Sequence, residues 1–141
     1  MAKPTTKEVI DYLLSKDRFS AWLGIELLEF AKGTCKISMV IRDEMLNGFD
    51  IVHGGVTFAF ADSALAVASN GYNQLSVALE TSMSFTAPAR IGDTLIAEAN
   101  EISRTNKIGV YTIRITNQDQ VTVGLFKGTV YRTSKTLLVN D

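Results

Sequence analysis

The 141-residue sequence holds one cysteine and one histidine. A lone Cys35 excludes an internal disulfide framework, and a solitary buried thiol in a chain of this size suits a reducing compartment. With His53 the sole imidazole and no further cysteine beside it, the ligand set for a zinc-type metal site is missing, so no metal or other cofactor is expected. Long hydrophobic runs are missing as well. The stretch from Ile51 to Leu79 comes nearest to a membrane span, but His53, Asp62, several hydroxyls and amides interrupt it. The N-terminal MAKPTTKEVIDYLLSKDRF carries charges throughout and resembles neither a secretory signal nor an anchor. Concentrated charge is absent too. Fourteen basic and fifteen acidic residues leave a net charge of −1, and no basic run exceeds two residues, so a nucleic-acid partner is not expected. One cytoplasmic domain with one core, and no membrane partner, is the expectation for this length.

Nearly half of the residues are hydrophobic, and their spacing is informative. Val9, Ile10, Leu13 and Leu14 recur at helical intervals, which predicts a helix over 5–14 capped by Thr5 or Thr6, with Glu8 in the first turn. Phe19, Trp22 and Leu23 suggest a second short helical piece ending at Gly24. Strands are predicted over 25–30 and 34–41, the latter alternating Cys35, Ile37, Met39 and Ile41 against Thr34, Lys36 and Ser38. A polar loop over 42–50 follows. A helix over 55–71 is apolar almost all round, with five alanines among Val56, Phe58, Phe60, Leu65 and Val67, a pattern that belongs in a core. Strands over 77–86, 94–103, 109–117 and 121–133 complete the chain, and the tail 134–141 is expected to fray. This order argues for an α+β domain in which an antiparallel sheet is covered by the one helix apolar enough to do it.

Between Asp50 and Glu80 the only charged residue is Asp62, midway along that helix. An ionised carboxylate in apolar surroundings is costly unless paired, and burial pushes its pKa upward. Two readings stand: a functional carboxylate, or one satisfied by hydroxyls and amides at a subunit contact. His53-Gly54-Gly55 precedes the helix. Its amides face the positive end of the helix dipole and could hold an oxyanion, or the glycines could simply make a tight turn. His53 could equally fix the loop by a hydrogen bond, and Asn47-Gly48 could be a turn dipeptide as well as a source of a binding amide. Geometry sharpens the choice. Gly54 and Asp62 are eight residues apart, roughly 12 Å along one helix. Groups serving one carbonyl must each lie about 3 Å from the reacting atoms. If both are catalytic, Gly54 of one subunit must face Asp62 of another.

The stretch Met45–Asn70, with Leu46-Asn47-Gly48, His53-Gly54-Gly55, Ala61-Asp62 and Ala68-Ser69-Asn70, closely resembles the hotdog-fold thioesterases of the phenylacetic-acid degradation (PaaI) type. Phe85–Asp93, Gly109-Val110-Tyr111 and Leu125-Phe126-Lys127-Gly128 extend the resemblance over roughly 19–132. It implies a six-stranded antiparallel sheet wrapped around one long helix, a homodimer with a continuous sheet, commonly doubled into a homotetramer, and acyl-CoA substrates, often aryl-acyl ones. By position, Asp62 would be the catalytic carboxylate and the Gly54 N–H the oxyanion donor, with Gly55 beside it at the substrate. Asn47 and His53 would support the thioester carbonyl and the attacking water. Some relatives place a serine or threonine on the strand after the helix. Here Ala78 takes that position, with Glu80, Thr81 and Ser82 nearby, Ser82 being the substrate-binding candidate. Arg90 and Lys107 are candidates for the CoA phosphates, and each also reads as a solvated turn residue. Phe49, Phe58, Phe60 and Tyr72 could line an acyl pocket or fill the core. The competing functions are a hotdog hydratase or dehydratase using His53 as base with Asp62, a non-catalytic acyl-CoA sensor, and a structural oligomer.

Overall fold

A computed structural model describes residues 2–140. The chain opens with α1 (Thr6–Lys16), started by a capping box in which Thr5 and Glu8 exchange bonds. Asp17 then ends α1 and accepts from the Ser20 N–H to start α2 (Arg18–Leu23). Gly24, at φ 78°, stops α2 in the left-handed conformation. β1 (Glu26–Ala31) and β2 (Thr34–Val40) form a hairpin in which Cys35, Ile37 and Met39 of β2 are buried. The loop after β2 contains a single helical turn, Asp43–Met45, anchored by the buried Met45. Then come α3 (Gly54–Asn70), β3 (Gln74–Phe85), β4 (Thr94–Arg104), β5 (Ile108–Thr116) and β6 (Thr122–Thr136).

The six strands form one antiparallel sheet in the order β1-β2-β4-β5-β6-β3. α3 carries the chain from β2, next to one edge, to β3 at the other edge, and packs against all six strands on the way. Phe60, Ala64, Leu65 and Ala68 of α3 meet Ile37, Ala97, Ala99, Ile113, Phe126 and Val130 of the sheet in one core. Small residues set the spacing: a Cβ on Gly128 would stand 2.7 Å from the Leu65 side chain. Each large apolar side chain sealed here contributes roughly 1.5–3 kcal/mol. This is the α+β hotdog arrangement, with the helix as filling, and the expected elements all form.

The differences lie at element ends. β3 begins at Gln74, three residues earlier than expected, because the buried Asn70 side chain clamps the turn. It accepts from the Ser76 N–H at 3.0 Å and donates to the Ser76 carbonyl at 3.2 Å. The tail expected to fray is instead held for most of its length. β6 runs on to Thr136, and Asn73 grips Leu138 by bonds of 2.8 Å in both directions. Asp141, the last residue of that tail, lies outside the described residues. Among the described residues, no helix is long and apolar enough to cross a membrane.

Candidate active site

Burial along α3 is uneven. Gly55 is exposed and Ala59, Asp62 and Ala66 are partly so, whereas Phe60, Ala61, Ala64, Leu65, Val67 and Ala68 are sealed. Steps of four, three and four residues place the open positions on one stripe of the helix. Asp62 is midway along the stripe, the only ionisable group on it. No ion pair among the described residues includes it. Desolvation holds its carboxyl above the ordinary aspartate range, and the negative charge of Asp17 pushes the same way.

Asp17 is a participant that the sequence reading missed. It is the N-cap of α2, where the Ser20 N–H donates to it at 2.9 Å. The Ser20 hydroxyl also bonds this carboxylate, at 2.5 Å, and meets the Ser63 hydroxyl at 2.7 Å. Ser20 and Ser63 are buried. The α1–α2 joint is thereby tied to Ser63, the residue next to Asp62 and 43 positions beyond Ser20 in sequence.

At the start of α3, His53 is the N-cap, and its Nδ1 accepts from the Gly55 N–H at 2.8 Å. The expectation that both glycine amides face a ligand is therefore corrected: Gly55 donates to His53, while the Gly54 N–H is the first helical amide, which no helical carbonyl can reach. A Cβ at Gly54 would lie 3.2 Å from the Phe85 ring, a tight contact that the glycine avoids. Asn47, Gly54, Thr57, Phe85 and Val123 line one cleft of about 440 Å³. Within it the Asn47 side-chain Oδ1 accepts from the Phe49 N–H at 2.8 Å and the Ile51 N–H at 3.4 Å, fixing the loop. So Asn47 and Gly54 come together as expected. Asp62 stands outside their cleft, two turns further along α3.

Other candidates are placed elsewhere. Ser82 pairs with Lys127 and lies with Thr112 and Asn100 on the outer face of the sheet, away from α3. A one-residue step on a strand reverses the face, and the hydroxyl beside Ser82 that lies on the helix side of β3 is that of Thr81. It pairs with Gly128, which abuts Leu65 of α3. Ala78 is also on the inner side, opposite the buried Val130. Arg90 precedes β4 and Lys107 follows it, so the eleven residues of that strand hold them roughly 35 Å apart. One chain cannot bring both to one nucleotide. Of the aromatic candidates, Phe60 is sealed in the core, Phe58 packs edge-on against Phe126, Phe49 is exposed, and Tyr72 sits beyond the far end of α3. Phe85, not singled out from sequence, is the aromatic that lines the Gly54 cleft.

Cys35 is inert. Its thiol is buried, points at the Ala64 carbonyl at 3.3 Å, and burial pushes its pKa up to about 12.

The family model of the thioesterase superfamily matches residues 49–124, from the loop before Gly54 into β6. A protein of Archaeoglobus fulgidus is 36% identical over 129 residues, 92% of this chain and 84% of its own length. The acyl-coenzyme A thioesterase PaaI of Escherichia coli is 36% identical over 125 residues, covering 89% of each chain. The solved structure of the E. coli PaaI protein from the phenylacetic acid degradation operon superposes with a TM-score of 0.92, covering 94% of this chain and 96% of that one. A family model spanning more than half of the residues and relatives alike over nearly the whole length establish that this chain belongs to the thioesterase superfamily.

Proposed function

We propose that the protein hydrolyses an acyl-CoA thioester, of the aryl-acyl class, to the free acid and CoA, in the cytoplasm. The observation that carries this reading is Asp62: one half-buried carboxylate without an ion-pair partner among the described residues, on an open stripe of a helix that is otherwise mostly buried. Its raised pKa makes it a stronger base than an ordinary aspartate.

In this mechanism the thioester carbonyl lies against the Gly54 N–H. The amide and the helix dipole behind it stabilise the oxyanion that forms as the carbonyl carbon becomes tetrahedral. Asp62 takes a proton from the attacking water, or attacks the carbon itself to give an anhydride that water then opens. Collapse of the tetrahedral species breaks the C–S bond, and the thiolate leaves as CoA. Asn47 and His53 shape the loop that presents the Gly54 amide, and Thr81 is the inner-face hydroxyl available to hold the water.

Gly54 and Asp62 of one chain are about 12 Å apart along α3, so the site requires two copies. β3 is the edge that offers the junction. It is long, it ends the sheet, and it exposes Val77 at 48% and Leu79 at 62%. Such an edge invites strand pairing with a second chain. Antiparallel pairing of two β3 strands would give a continuous sheet and bring each Gly54 turn toward the other chain's Asp62. Two such dimers make the tetramer that the resemblance implies.

The test is release of free thiol from a panel of aryl-acyl and aliphatic acyl-CoA esters, scored by kcat/KM. Asp62→Asn should lower kcat by about 10²- to 10⁴-fold while ester binding persists. Near-normal turnover by that variant, or hydration of an unsaturated acyl chain without thiol release, would overturn the proposal.

A further inference from the structure

A second concavity, of about 450 Å³, lies where the β4–β5 turn meets the ends of β3 and β6. Lys107, Arg132 and Lys135 line it together with the neutral polar side chains of Asn73, Gln74 and Asn106, and none of the described residues that line it is acidic. The central cation is the informative one. Arg132 is only 7% exposed. Its Nη1 donates to the Thr105 carbonyl at 2.6 Å and its guanidinium stands 5.2 Å over the Tyr72 ring. Among the described residues its Nε has no hydrogen-bond partner and no ion pair includes it. Glu101, the carboxylate at this end of the sheet, is already engaged. Tyr72 and Tyr111 both donate to its Oε1, at 2.9 and 3.2 Å, and Arg104 pairs with the same atom at 3.2 Å.

A buried cation with an unmet N–H and no counter-ion is costly unless an anion completes it. A guanidinium with two ammonium groups at one concavity suits a phosphate, whose oxygens accept from several directions at once. We propose that this groove binds a phosphate ester. Its location suggests the source. β3 runs from Gln74, at the groove, to Phe85, at the Gly54 cleft. If two β3 strands pair antiparallel, as the reading of the active site requires, the Gln74 end of one copy lies beside the Phe85 end of the other. The groove of one chain then opens next to the carbonyl site of its neighbour, where the nucleotide phosphates of a CoA ester would emerge. This assignment rests on that dimer. The groove itself does not, and a free phosphorylated metabolite would satisfy the same chemistry.

The experiment is calorimetric titration of the intact protein with adenosine 3′,5′-bisphosphate and with inorganic phosphate, alongside the double variant Lys107→Gln/Lys135→Gln. These lysines stand at a turn and a strand end, and a thermal melt checks that the fold is kept. Arg132→Lys, which retains charge but loses the planar fork, is the second variant. The wild-type chain should bind the bisphosphate, and each variant should bind it about tenfold more weakly or worse. The two sources separate in kinetics. If the phosphates belong to the substrate, the double variant raises KM for a CoA ester far more than for the same acyl group on N-acetylcysteamine, which lacks the nucleotide. If they belong to a free metabolite, bisphosphate or phosphate binding falls while the two KM values keep their ratio. A wild-type protein that binds neither probe, or variants that bind as tightly as wild type, overturns the site. Because the titration reads binding without turnover, it decides the groove even if Asp62→Asn should prove fully active.

Discussion

Asp62 is held where desolvation and a neighbouring carboxylate both oppose its charge, and two measurements follow from that placement. The first concerns stability. A carboxyl whose pKa is raised on folding favours the folded state when protonated. That contribution is complete below the unfolded value, about 3.9, and is lost as pH rises through the folded value. Asp62→Asn should therefore melt at a higher temperature than wild type at pH 7, and the difference should vanish below about pH 4. An equal melting point at pH 7 would mean that the carboxylate is solvated as well as in the unfolded chain. The second concerns tuning. Asparagine retains the cap at the start of α2 but removes the Asp17 charge. Asp17→Asn should therefore shift the acid limb of the kcat/KM profile to lower pH, with little change in melting point. An unmoved limb would show that Asp17 serves only as a cap. Asp62 and Gly54 were legible in sequence because a lone charge in an apolar run and a paired glycine at a helix start are local signals. Asp17 was not, since D-x-x-S at a helix start has the same form with or without a carboxylate nearby in space.

At the scale of elements, α3 and the sheet are fitted with small residues at their closest approach. Gly54→Ala would set a methyl 3.2 Å from the Phe85 ring and make it shift within the cleft that also holds Asn47. Misplacement of a reacting group by about 1 Å can cost up to about 100-fold in rate, so this smaller displacement should lower kcat by less than that while the chain still folds. Gly128→Ala places a methyl 2.7 Å from Leu65, which is itself sealed. Overpacking of this kind destabilises by about 1–3 kcal/mol, readable in a urea titration. Strand faces were the less legible feature. Period two predicts which residues share a face, yet β3 carries register shifts between Gln74 and Ser76 and between Ala78 and Glu80. Those bulges place Thr81 rather than Ser82 on the helix side, and only the pairing with Gly128 and Lys127 reveals it.

For the molecule as a whole, the proposed two-chain site depends on the exposed apolar edge of β3. Lysines facing one another across a two-fold axis oppose edge pairing. The double substitution Val77→Lys/Leu79→Lys should convert the species in sedimentation equilibrium to the monomer. It should abolish thioester hydrolysis and leave the circular dichroism of the single chain in place. Full activity from a monomer would refute the two-chain site.

The order of elements, the buried character of α3 and the isolation of Asp62 were determined by sequence alone, because each depends on periodicity or on a local contrast between polar and apolar residues. Tertiary structure decided what joins across distance. It brought Asn47 to Gly54 and Asp17 toward Asp62, turned Ser82 outward, separated Arg90 from Lys107 by the length of β4, and gathered Lys107 with Arg132 and Lys135. Packing and strand register set those relations between residues far apart in the chain, and no local pattern encodes them.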